Sequence, residues 1–149
     1  MQVEAEGRAE APARWERFTR GSDVGIRGIG RSVEQAFEMA ALALSSLVED
    51  PRRVQAQEEI EMECEARATD RLLADWLRHV VGAMASGHVR FHCFVVRIDG
   101  PRLFGHGYGE RVKPTREPRA PPVTGATLAE VSVRQGADGL WTAECLVEL

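Results

Sequence analysis

At 149 residues, 44% hydrophobic and 28% charged, the chain can bury one ordinary core and is short for two. Its formal net charge of −4 argues against a domain that wraps nucleic acid by bulk electrostatics, leaving 111–119 as the one local basic patch. Three widely spaced cysteines, Cys64, Cys93 and Cys145, suggest neither a zinc ribbon nor a disulfide framework, no apolar run approaches the roughly 20 residues of a membrane span, and the first residues lack the pattern of a signal peptide, so a reducing cytoplasm is the expected setting.

Residues 1–14 are rich in Ala, Glu, Arg and Pro without a period and read as a flexible leader, with one domain over 15–149. Residues 15–18 suit a short strand, and 22–30 form the next, with apolar Ile26 and Ile29 spaced by Gly25, Gly28 and Gly30. Asp23 at its entry is the only acid between Glu16 and Glu34. Ser32 and Gln35 make a Ser-x-x-Gln capping box, after which Val33, Ala36, Phe37, Ala40, Leu44, Leu47 and Val48 fall on one helical face, ended by Pro51.

From 59 to 66 acids alternate strictly with apolar residues, which predicts a half-buried strand with a solvated acidic face. A cation-binding comb is the other reading, disfavoured because alternate strand positions lie about 7 Å apart. A second helix follows, with Thr69 or Asp70 as N-cap and Leu72, Leu73, Trp76, Leu77, Val80, Val81 and Met84 as its buried stripe. Residues 89–98 are the strongest strand, with Val89, Phe91, Cys93 and Val95 expected on one face, and the turn at 99–101 leads into a hairpin partner over 102–108. Residues 110–124 hold four prolines and four basic residues and read as an extended loop. Residues 127–134 and 140–148 alternate as a closing hairpin around 135–139. The order predicts an α+β fold, a mixed, largely antiparallel sheet arrangement with two helices on one face.

Catalytic constellations are scarce. The glycines of 25–30 match no nucleotide-binding fingerprint, His79, His88, His92 and His106 read as ordinary surface or core histidines, and the three cysteines read as inward-facing, inert strand thiols. What remains is carboxylate chemistry at a distance. Asp23 opens one strand, Glu148 closes the last, and the Leu149 carboxylate follows. If those strands are antiparallel neighbours, the three acids meet at one sheet edge, where a hard cation such as Ca²⁺ or Mg²⁺ would relieve their repulsion. The plain alternative is a surface Glu148 and an Asp23 that caps a turn.

The stretch 22–30, the helix 33–44, Leu72-Leu73-Ala74-Asp75-Trp76-Leu77, Gly109-Glu110, Trp141-x-Ala143 and the ending Glu148-Leu149 together resemble the archease family over about 15–149. The resemblance implies an α+β sandwich with an inserted strand-helix-strand-strand module. It also implies an accessory protein, not itself a catalyst, that activates an RtcB-type RNA ligase using GTP and a divalent metal, promoting guanylylation and repeated turnover in tRNA splicing or RNA repair. RNA would be served only indirectly. The family's metal-binding acids fall on Asp23, Glu148 and the Leu149 carboxylate, with Asp70 nearest to a further acid at the second helix. Arg20 stands where the family has His, Gly21-Ser22 replaces Thr-Ala, and Ala68 replaces an Asp. Lys113 and Glu117 stand for Asp and His, and Thr124 for Lys. The alternative function is a non-catalytic metal-binding interaction module on the same fold that no longer serves the ligase. A small metal-dependent hydrolase is a third reading, disfavoured for want of a positioned base or nucleophile.

Overall fold

A computed structural model describes residues 3–10, 13–112 and 126–148. Strands β1 (Val3–Glu10), β2 (Ala13–Arg20) and β3 (Asp23–Gly30) lead into helix α1 (Val33–Ser45); β4 (Glu58–Glu65), α2 (Thr69–Ser86), β5 (Val89–Asp99) and β6 (Arg102–Arg111) follow, then β7 (Thr127–Gln135) and β8 (Trp141–Glu148). Every pairing is antiparallel, in a five-stranded sheet of order β1-β2-β3-β8-β7 and a three-stranded sheet of order β4-β6-β5. The α+β expectation holds, and β4-α2-β5-β6 is the strand-helix-strand-strand module inserted between α1 and β7.

The predicted cap starts α1: the Gln35 amide donates to Ser32 Oγ at 3.1 Å, while the Gln35 side chain accepts from the Arg31 amide at 2.7 Å. The helix ends at Ser45, short of the predicted Leu47, Val48 and Pro51, and it is buried well beyond its predicted stripe, at Met39, Ala41, Leu42 and Ala43 as well. It lies between the two sheets. On one side Gly28 of β3 lies against its backbone, so close that a Cβ there would sit 2.2 Å from both Ala36 O and Ala40 N. On the other, Trp76 Nε1 donates to Phe37 O at 3.1 Å and the Val96 amide donates to the Glu38 carboxylate at 2.8 Å. Helices with apolar residues all round belong in such interiors. One apolar cluster accordingly joins Trp15, Ile26, Ala143 and Cys145 from the larger sheet to Met62, Phe91, Phe94 and Leu103 from the smaller.

Three expectations are corrected. Residues 1–14 are not a leader throughout: β1 pairs along β2 from Val3↔Phe18 to Glu10↔Ala13 and satisfies a backbone edge that β2 would otherwise expose. Helix α2 has Ala68 at its N-cap with no side-chain cap, and Thr69 and Asp70 already lie in the first turn. In β5 the pairing register shifts between Phe91 and Cys93, a β-bulge that inserts one residue and reverses the alternation beyond it. Phe94 and Val96 therefore face the core with Phe91, whereas Cys93 turns outward with Val95, which is 50% exposed.

Candidate carboxylate site at the β3–β8 edge

β2 and β3 join through the tight turn at Gly21 (φ 63°), which pairs Arg20 with Asp23. β3 and β8 are neighbours, as the carboxylate reading requires: Val24 pairs with Val147, so the next rung sets Asp23 opposite Glu148. Glu148 in turn pairs with Thr127 of β7. Arg20, Asp23, Glu148 and Thr127 thus form one row across four strands, and directly opposed residues share a face. Among the described residues neither Asp23 nor Glu148 has a hydrogen-bond or ion-pair partner, whereas Arg20 pairs with Glu130 of β7 at 2.6 Å. Adjacent carboxylates of this kind offer the oxygen donors that a hard cation takes.

Asp70 is elsewhere committed: exposed in the first turn of α2, its carboxylate accepts the Arg71 amide at 3.0 Å. Leu149, with Lys113, Glu117 and Thr124, lies outside the described residues, as does most of the predicted 110–124 loop.

The row ends a sheet face held by a chain of ion pairs. Arg14 pairs with Glu16 at 3.0 Å, Glu16 with Arg27 at 2.8 Å, Arg27 with Glu144 at 2.7 Å, and Glu144 with Arg134 at 2.5 Å, crossing β2, β3, β8 and β7. Gly25 leaves room for the Phe18 ring to lie over β3, and the Arg27 guanidinium covers that ring at 4.5 Å from its centroid. Burial opposes the charge of Arg27, but its bonds to Glu144 and Glu16 outweigh it and raise its pKa. Burial likewise works against ionised Glu144, and hydrogen bonds from Arg27 and Arg134 overcome it, leaving the carboxyl below its ordinary value.

The thiols carry no chemistry here. Burial pushes Cys145 up to about 12 and Cys64 up to about 11, and raises Cys93. Thiolate, the reactive form, is therefore scarce near neutrality. An alkylating reagent at mildly alkaline pH should leave Cys145 and Cys64 of the folded protein unmodified while labelling all three cysteines of the unfolded chain, as read by mass spectrometry. Rapid native labelling of Cys145 would contradict this environment.

Sequence spacing also missed one cluster. Ligand atoms of Glu59, Glu61 and His106 all lie within 4.8 Å of one another, the one such set of three among the described residues. Glu61 and His106 are paired across β4 and β6, a relation visible only once the strand register is known.

These features define a small two-sheet α+β domain built round a buried helix, with two carboxylates brought together at the end of its larger sheet. The chain belongs to the archease family: the model of the Archease protein family (MTH1598/TM1083) matches residues 15–149. It is 29% identical to protein archease of Pyrococcus abyssi over 140 residues, covering 91% of this chain and 99% of that one. It is 32% identical to protein archease of Sulfolobus acidocaldarius over 138 residues, covering 91% and 99%. The solution structure of Methanobacterium thermoautotrophicum protein 1598 superposes with a TM-score of 0.76 at 29% identity, over 91% of this chain and 98% of that one. Among the described residues no helix is long and apolar enough to cross a membrane.

Proposed function

We propose that this protein is an archease-type accessory factor that activates an RtcB-type RNA ligase in the cytoplasm, promoting the ligase's guanylylation by GTP and its repeated turnover in tRNA splicing or RNA repair. It is not the catalyst, and it meets RNA only through the ligase. The observation that carries the reading is the Asp23–Glu148 row on a chain matched to the family over 15–149. Asp23, Glu148 and the Leu149 carboxylate would hold Ca²⁺ or Mg²⁺. The cation would offset the mutual repulsion of the gathered carboxylates at that strand end. The protein's own part is to fix Asp23 and Glu148 side by side through strand register and to stiffen that end with the Arg20–Glu130 pair.

The expected result in a ligation assay with excess RNA ends is several products per ligase with the protein present and about one without it; Asp23→Ala should lose most of the stimulation. A product yield unmoved by the wild-type protein removes the reading. One observation favours the alternative, a non-catalytic metal-binding module without the ligase partnership: Arg20, standing at the family's His, is bound to Glu130 and is a permanent cation that cannot act as imidazole does.

A further inference from the structure

The outer face of the small sheet carries a second donor set, independent of the Asp23 end and of the ligase reading. β4 presents Glu59, Glu61, Glu63 and Glu65 on one face, and β6 sets His106 directly opposite Glu61. Alternate strand positions lie about 7 Å apart along the backbone, but the glutamate side chains converge on the imidazole from both rungs. His106 Nδ1 lies 2.6 Å from Glu59 Oε1, and a Glu61 oxygen falls within the same 4.8 Å compass. Glu61 has no hydrogen-bond or ion-pair partner among the described residues. The floor beneath is ordered: Gly105 and Gly107, on either side of His106, are covered on the inner face by Trp76 and by Phe91 and Phe94. That packing fixes the backbone carrying the imidazole, so the three donors converge without a flexible loop.

We infer that Glu59, Glu61 and His106 form a site for one divalent transition-metal ion of the zinc type, completed by water. The donor chemistry selects the class. Ca²⁺ and Mg²⁺ take oxygen ligands, which suits the Asp23–Glu148 end, whereas one imidazole nitrogen with two carboxylates suits Zn²⁺ and its first-row neighbours. Binding exchanges the His106–Glu59 contact for two metal bonds. Exposure at the sheet surface leaves the remaining positions to water.

The test is calorimetric titration of the metal-free full chain with Zn²⁺ near neutral pH, with Ca²⁺ as a second arm, alongside Glu61→Gln, His106→Gln and Asp23→Ala. All three positions lie on the surface or at a strand end, and circular dichroism checks each variant's fold. One Zn²⁺ per chain is expected in wild type and in Asp23→Ala, weakened about tenfold or more in both Glu61→Gln and His106→Gln. No Zn²⁺ binding, or Zn²⁺ binding undiminished in either of those two variants, overturns the site. So does loss of Zn²⁺ in Asp23→Ala, which would assign the ion to the strand-end carboxylates.

Discussion

Gly28→Ala is expected to destabilise the protein by about 3 kcal/mol or more, an overpacking effect at the upper end of the usual range. The added Cβ would lie 2.2 Å from Ala36 O and from Ala40 N, and both are backbone atoms that cannot rotate away. Relief requires lifting α1 off β3. The far side of α1 resists that, because Trp76 Nε1 holds Phe37 O and Glu38 holds the Val96 amide of the second sheet. The substitution therefore disturbs both sheets through one helix. Gly82→Ala in α2 is the control, since nothing lies within 4 Å of its Cβ position and alanine is favoured in helices. Urea unfolding should show a markedly lower midpoint for Gly28→Ala and an unchanged or slightly higher one for Gly82→Ala. Equal midpoints for the two variants would refute the close strand-to-helix contact.

Arg27→Ala should cost about 3 kcal/mol at neutral pH, the range for removing one partner of a buried ion pair. Arg27 joins Glu16, which is 5% exposed, to Glu144 and covers the Phe18 ring; without it Glu16 keeps, among the described residues, Arg14 alone. The pH dependence follows from Glu144, whose pKa is lowered in the folded protein. A carboxyl with a lowered folded pKa contributes stability that is complete above its unfolded value, near 4.5, and is lost as pH falls through the lower folded value. The stability gap between wild type and Arg27→Ala should therefore narrow as pH drops below about 4.5. A gap that widened in acid would show that the ion-pair chain is not what holds this face.

The strands and helices with one clean period were legible in the sequence. The acidic alternation of β4, the Ser32–Gln35 start of α1 and the stripe of α2 each express a local rule, and each stands in the structure with boundaries shifted by a residue or two. Features that depend on a partner element were not. The bulge beside His92 leaves no mark in composition, yet it turns Cys93 and Val95 outward. β1 is low in β-branched residues and becomes a strand because β2 offers an edge. α1 reads as one stripe although Met39, Ala41, Leu42 and Ala43 off that stripe are buried too, because the second sheet that covers them is a tertiary feature. For the carboxylates, the ends of β3 and β8 named Asp23 and Glu148, and only the register made them neighbours. The Glu59–Glu61–His106 set was hidden for the same reason, since its spacing runs across strands.

The most direct measurement of the central claim is guanylylation of the RtcB-type ligase of the same organism, followed with labelled GTP and a divalent metal, with this protein absent, present, or present as Asp23→Ala. Guanylylated ligase should increase clearly with the wild-type protein and little or not at all with Asp23→Ala. Equal guanylylation with and without the wild-type protein would contradict that claim.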